Sequence, residues 1–154
     1  MKELLRILGK DPSVRHKLRS ELTQKLEEGG RDLSEYGITI SERKEERPEG
    51  EDCFRYLFGV HGVNFREILQ TYFLPSDKPV YNGVVEYQKL VKYRGRNSVY
   101  SFKTTHLGII TNEGRVVSKW GPLGDVYEHE IDLIPTFYGS RVAFYAPVYT
   151  QVVS

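Results

Sequence analysis

Val14, Leu18, Leu22 and Leu26 recur every fourth residue in an otherwise charged stretch. That spacing is one narrow face of an α-helix. Asp11 before Pro12 supplies an N-cap and a first helical position, and Gly29-Gly30 supplies the stop. Leu4, Leu5, Ile7 and Leu8 make a shorter apolar face ahead of it. Residues 1–30 are therefore expected to form a helical extension, packed on the domain that follows or used for docking or oligomerisation. The rest, 31–154, is expected to form one domain.

The period changes along that domain. Tyr36 to Ile40 predicts a short strand, and residues 41–52, almost all charged, predict a loop or linker. Phe54, Leu57 and Phe58 fit a buried helical face, with Asp52 as its cap and Cys53 in its first turn. Asn64 to Leu74 predicts a second helix, ended by Pro75 and Pro79. From residue 80 the pattern alternates as in strands. Val84 to Tyr87 is the first, then a hairpin of Lys89–Tyr93 and Ser98–Lys103 around Gly95. His106–Ile110 and Arg115–Ser118 flank the turn signal Asn112-Glu113-Gly114, and Asp125–His129 and Arg141–Tyr145 complete the set. Helices first and antiparallel strands afterwards predict an α+β fold.

Composition narrows the function classes. With 154 residues the chain can bury a substantial core. Its 22 basic and 21 acidic side chains leave a net charge of +1, which demands neither a polyanion nor an anionic membrane as partner. No run approaches the ~20 apolar residues of a membrane span, and the opening apolar stretch is too short for a signal peptide. No membrane association and a cytoplasmic location are the expectations. A single cysteine, Cys53, excludes an intrachain disulfide and a cysteine-based zinc site, and fits a reducing compartment.

That cysteine carries the chemistry. The thiolate is the nucleophile, and a helix start or a nearby imidazolium favours it. His106, opening the run His-Leu-Gly-Ile-Ile, is the matching base candidate, since nucleophile and base need to meet in space, not in sequence. The order Asp52-Cys53, Val84-Val85-Glu86-Tyr87, His106-Leu107-Gly108-Ile109-Ile110 and Asn112-Glu113-Gly114-Arg115 resembles the NlpC-type papain-like peptidases and their CHAP amidase relatives. In that family an Asp-Cys pair opens a helix, and a "His-Val-Gly-Ile" strand and a glycine turn follow. The resemblance spans roughly residues 50–120 and implies a papain-like domain with its helices packed on an antiparallel sheet. It implies a hydrolase that cleaves a peptide, isopeptide or amide bond, with Cys53 as nucleophile, His106 as base and no cofactor. Counted along the hairpin, the family's third position, which orients the imidazole, falls on Ser118; Glu128 and His129 are the alternatives. Asp52, Tyr87, Lys119 and Trp120, beside these positions, are the expected substrate contacts. The chain departs from the pattern at Phe54, where the family has serine, and at Asn82-Gly83, where it has Gly-Asp.

Two other chemistries are open to these residue types. His106, His129 and Glu128 are the residues available to a metal, but no His-x-x-x-His spacing exists and no metal site is expected. Between Glu86 and Glu113 there is no acidic residue, while Lys89, Lys92, Arg94, Arg96 and Lys103 interleave with Tyr87, Tyr93, Tyr100 and Phe102. The alternative function is therefore a non-catalytic papain-like module that binds nucleic acid or protein through the basic aromatic hairpin 87–104. In an enzyme the same hairpin is a candidate site for an anionic ligand.

Overall fold

The computed structural model describes residues 12–42, Cys53, Leu57, 65–93, 99–120 and 125–148. The expected features at residues 1–11, the charged stretch from residue 43 to Asp52, Phe54, Phe58, the tip around Gly95 and the turn 121–124 lie outside them. Helix α1 spans Pro12–Glu27 and α2 spans Phe65–Tyr72. The strands are β1 (Thr39–Glu42), β2 (Phe73–Ser76), β3 (Val84–Tyr93), β4 (Val99–Ile110), β5 (Val116–Lys119), β6 (Val126–His129) and β7 (Arg141–Pro147). They form one antiparallel sheet in the order β1-β6-β5-β4-β3-β7-β2, so the architecture is α+β.

Side-chain alternation along the central strands makes two cores, one on each face. Val85, Tyr87, Ile110, Val116, Trp120 and Tyr127 point to one face and pack with Leu22 of α1, Leu33, Ile38, Leu133 and Tyr138. Val84 and Leu107 point to the other and pack with Leu69 of α2, with Leu57 against them. The four-residue stripe of α1 is thus the face that meets the sheet, with Leu22 fully buried and Leu18 and Leu26 at its sides. Arg19 fixes the angle of approach. Its guanidinium donates to the carbonyls of Ile134 (3.0 Å), Pro135 (3.3 Å) and Gly139. Gly29, at φ 87°, ends the helix in the left-handed conformation that glycine adopts without strain.

Three boundaries differ from the sequence pattern. The second helix stops at Tyr72, because Phe73 to Ser76 pair with Pro147 to Phe144 of β7 instead. Pro75 is tolerated there because β2 is an edge strand. Tyr36 sits in a short 3-10 turn, and β1 runs on through Ser41 into the stretch expected to be linker. The expected strand 84–87 and hairpin are one continuous ladder, β3 against β4. A bulge keeps them continuous: Tyr87 faces His106 and Gln88 faces Thr104, leaving Thr105 as the extra residue. The Asn112-Glu113-Gly114 turn forms as expected, with Thr111 and Arg115 bonded across it.

The bulge also ties a distant turn to the sheet. It frees the Thr105 hydroxyl to donate to the carbonyl of Tyr138 at 2.5 Å, which pins the 3-10 turn Thr136–Tyr138 over β3 and β4. A Cβ at Gly139 would collide with the Gln88 carbonyl, so this close approach of turn to sheet requires glycine.

Candidate active site

His106 projects from the bulge into the α1-side core. Its ring stacks on Tyr138, centroid to centroid 4.0 Å at 14°, with Tyr87 5.6 Å away. The imidazole is fully buried, and neither Nδ1 nor Nε2 has a hydrogen-bond partner among the described residues. Burial, aided by the neighbouring His129, holds it well below the ordinary histidine range. His106 is therefore neutral at pH 7, with an unshared ring lone pair in an aromatic setting.

Cys53 is helical and buried, 3% exposed. Leu57 packs against the Leu69–Val84–Leu107 cluster. Cys53 also lies within electrostatic reach of Tyr138. The Tyr138 phenol is raised first by burial and then by the charge that a Cys53 thiolate would carry. Tyr138 thus stacks on the imidazole and lies within electrostatic range of the sulfur. No hydrogen bond joins Cys53 to His106, since both ring nitrogens are unbonded.

Ser118 does not orient His106. The β4–β5 ladder pairs Ile109 with Val117 and Ile110 with Val116. Gly108 therefore faces Ser118, and a Cβ on Gly108 would lie 3.3 Å from the Ser118 Cβ. Ser118 instead belongs to a buried chain whose proton positions follow from chemistry. The Trp120 indole can only donate, and it does so to Ser118 Oγ at 3.0 Å. The Glu130 carbonyl can only accept, so His129 Nδ1 carries a proton toward it at 2.7 Å. His129 is pushed down to about 4, chiefly by burial, and is neutral. Its Nε2 therefore accepts the Ser118 hydroxyl proton at 2.8 Å.

The remaining candidates divide. Glu128 is partly exposed and pairs with Arg115 at 3.4 Å. Tyr87, 1% exposed, donates its hydroxyl to the Ile131 carbonyl at 2.8 Å. Lys119 and Trp120 are buried as well. Tyr87 and Trp120 pack in the α1-side core and Lys119 is buried too, so of these three only Tyr87 reaches a cleft. Asp52 lies outside the described residues. A cleft of about 330 Å³ opens on the α1 side, lined by Arg15, His16, Arg19 and Asp132, and Tyr87 is the wall it shares with the His106 cluster. Among the described residues no group of three His, Cys, Asp or Glu side chains is placed to hold a metal, and no helix is long and apolar enough to cross a membrane.

Tyr138 is the residue the sequence pattern did not single out. Its only signal was the string Thr-Phe-Tyr-Gly before the last strand, which looks like an ordinary turn.

The Ser118 chain yields a stability prediction. Ser118→Ala leaves the Trp120 N–H and the His129 Nε2 without partners. It is expected to cost about 2 kcal/mol, read as a lower urea midpoint at unchanged slope. Because Ser118 does not touch His106, reactivity at Cys53 is expected to stay at the parental rate.

No family model matches the chain, and neither the curated proteins nor the solved structures contain a match.

Proposed function

We propose that the chain is a thiol hydrolase of papain-like, NlpC-type architecture, cleaving a peptide, isopeptide or amide bond through a thioester on Cys53. The observation that carries this reading is the His106 ring. Each unsatisfied buried polar atom costs about 1–3 kcal/mol, and imidazoles left in that state call for a reason beyond packing. A neutral imidazole without a partner among the described residues, stacked on a tyrosine within electrostatic range of a buried thiol, supports the reading of a base held in its active form.

The chemistry then runs in two halves. His106 takes the proton from the Cys53 thiol as sulfur attacks the carbonyl carbon, and the C=O electrons move to oxygen. The C–N bond breaks as His106 passes that proton to the leaving amine, giving a thioester. Water attacks the thioester while His106 accepts its proton, and the Cys53 sulfur leaves and is reprotonated. Since His106 rests neutral, the starting state in this reading is a neutral thiol and a neutral imidazole rather than a preformed ion pair. In this reading Tyr138 positions the imidazole by stacking, the task that a polar third residue performs in the family pattern.

The test is acylation by p-nitrophenyl acetate. The expected result is a burst of nitrophenol and one acetyl group on Cys53 by mass spectrometry, both lost in Cys53→Ala. A parent protein that shows no burst and leaves Cys53 unmodified by ester and by iodoacetamide up to pH 9 overturns the proposal.

A further inference from the structure

Residues 89–93 of β3 and 99–103 of β4 pair only with each other among the described residues. The β7 ladder on β3 ends at Gln88, and β5 reaches β4 only at Ile109 and Ile110. The hairpin therefore extends from the sheet as a two-stranded ribbon. Its cross-strand pairs put Leu90 beside Phe102 and Lys92 beside Tyr100 on one face. Three of these are large apolar side chains turned to solvent: Leu90 is 51% exposed, Tyr100 60% and Phe102 44%. Such exposure on neighbouring positions of one face calls for a partner.

The charges around the aromatics indicate which partner. Lys92 Nζ lies 5.6 Å from the Tyr100 ring centroid, and the Arg141 guanidinium lies 4.1 Å from that of Phe102. Lys89 and Lys103 pair across the opposite face of the ribbon. No acidic residue occurs from position 87 to 112. The nearest acid, Glu86, is fully buried and held by Arg66 at 2.6 Å, by Thr104, and by Gln88 and Tyr145 at 3.0 Å. Burial alone would raise its carboxyl; these donors keep it below the usual carboxylate range, so it is an ion already neutralised by Arg66. The described residues of this face therefore offer cations and π-surfaces to a partner, with no exposed carboxylate among them.

We infer that this ribbon face binds single-stranded nucleic acid, with phosphates at Lys92 and Arg141 and bases stacked on Tyr100 and Phe102. Tyr100 and Phe102 are two residues apart on one strand, about 7 Å by the rise of a β-strand. That separation suits successive unstacked bases, whereas the stacking faces of duplex bases are covered by their neighbours. Exposed aromatics among cations are the pattern that recognises single strands without sequence readout. An apolar protein surface would gain nothing from the cations, and an acidic one would leave Tyr100 and Phe102 without stacking partners.

The test is fluorescence anisotropy of the full chain with a labelled oligothymidine and an oligouridine. Saturable binding that weakens with added salt is expected. Tyr100→Ala and Phe102→Ala are each expected to weaken it by roughly 5- to 100-fold. Both side chains are largely exposed, so the fold is expected to keep its parental melting temperature. Lys92→Ala is expected to reduce affinity and to flatten the salt slope by about 0.7. Four outcomes would overturn the inference: no binding at low salt, alanine variants that bind like the parent, equal binding of a duplex of the same length, or equally effective competition by polyglutamate or anionic phospholipid vesicles.

Discussion

Replacing His106 with phenylalanine is expected to leave the folded protein at least as stable as its parent while slowing acylation of Cys53 by roughly 10²–10⁴-fold. Two effects oppose each other in the folded state, and the favourable one is the larger. The variant keeps a flat ring against Tyr138 and removes two nitrogens that are buried without partners among the described residues. Removing unsatisfied polar atoms from an apolar setting is favourable, by about 1–3 kcal/mol for each. The larger ring has to fit a packed site, which costs about 1–3 kcal/mol. The rate has no such compensation, because phenylalanine accepts no proton. His106→Ala is the poorer test. It deletes the ring stacked on Tyr138, and losing a buried ring costs about 3–5 kcal/mol through the cavity it leaves. Urea midpoints and nitrophenol bursts measured on the same His106→Phe preparation decide the matter. A variant several kcal/mol less stable, with its burst intact, would make His106 a packing residue and remove it from the mechanism.

The contrast between His106 and Ser118 shows where the sequence was legible. Local signals worked well. The stripe Leu18, Leu22, Leu26 marked the buried face of α1, and Asn112-Glu113-Gly114 marked the β4–β5 turn. These depend on spacing within one element. Register was not legible, because the pairing of β5 with β4 depends on where the intervening turn closes, between Thr111 and Arg115. Counting along the hairpin sets Ser118 beside His106, but the ladder sets it beside Gly108, where His129 from the next strand takes its hydroxyl. Tyr138 was illegible for a related reason. It reaches His106 through a turn more than thirty residues downstream, held by Thr105 and by the Gly139 approach to β3. Closeness in sequence to the candidate residues suggests a cleft for Trp120, whereas its packing with Tyr127 commits it to the core. The exposed aromatics of the ribbon were partly legible. Their interleaving with lysine and arginine was visible, but the pairing of Phe102 with Arg141 needs β7 beside β3.

Lowering the pH from 7.5 to 5 is expected to destabilise the fold steeply, with the loss beginning near the ordinary histidine pKa of about 6.5. The sign comes from the two buried imidazoles. Burial depresses both, His129 to about 4 and His106 well below its usual value, and the Arg115 guanidinium (at His129) and the His129 imidazole (at His106) act in the same sense. The Glu130 carbonyl opposes this at His129 but does not reverse it. Above about pH 6.5 folded and unfolded chains both hold these rings neutral, and the stability is fully present. Below it the unfolded chain takes up two protons that the folded chain refuses, so stability falls until the folded rings themselves titrate. For His129 alone, a drop from about 6.5 to about 4 corresponds to about 3 kcal/mol. With both rings contributing, the slope reaches about 2.7 kcal/mol per pH unit in the middle of the window. That is a large share of the roughly 5–15 kcal/mol that holds a domain together. Glu86, held below the carboxylate range, adds its own loss only at lower pH. Urea midpoints at pH 7.5, 6 and 5 measure the effect. His106→Phe is expected to halve the slope, because it removes one of the two protons, whereas Ser118→Ala is expected to lower the midpoint at every pH. A midpoint that stays constant from pH 7.5 to 5 would mean that His106 and His129 are not neutral, solvent-excluded groups, and His106 would then lose its role as a base held in its unprotonated form.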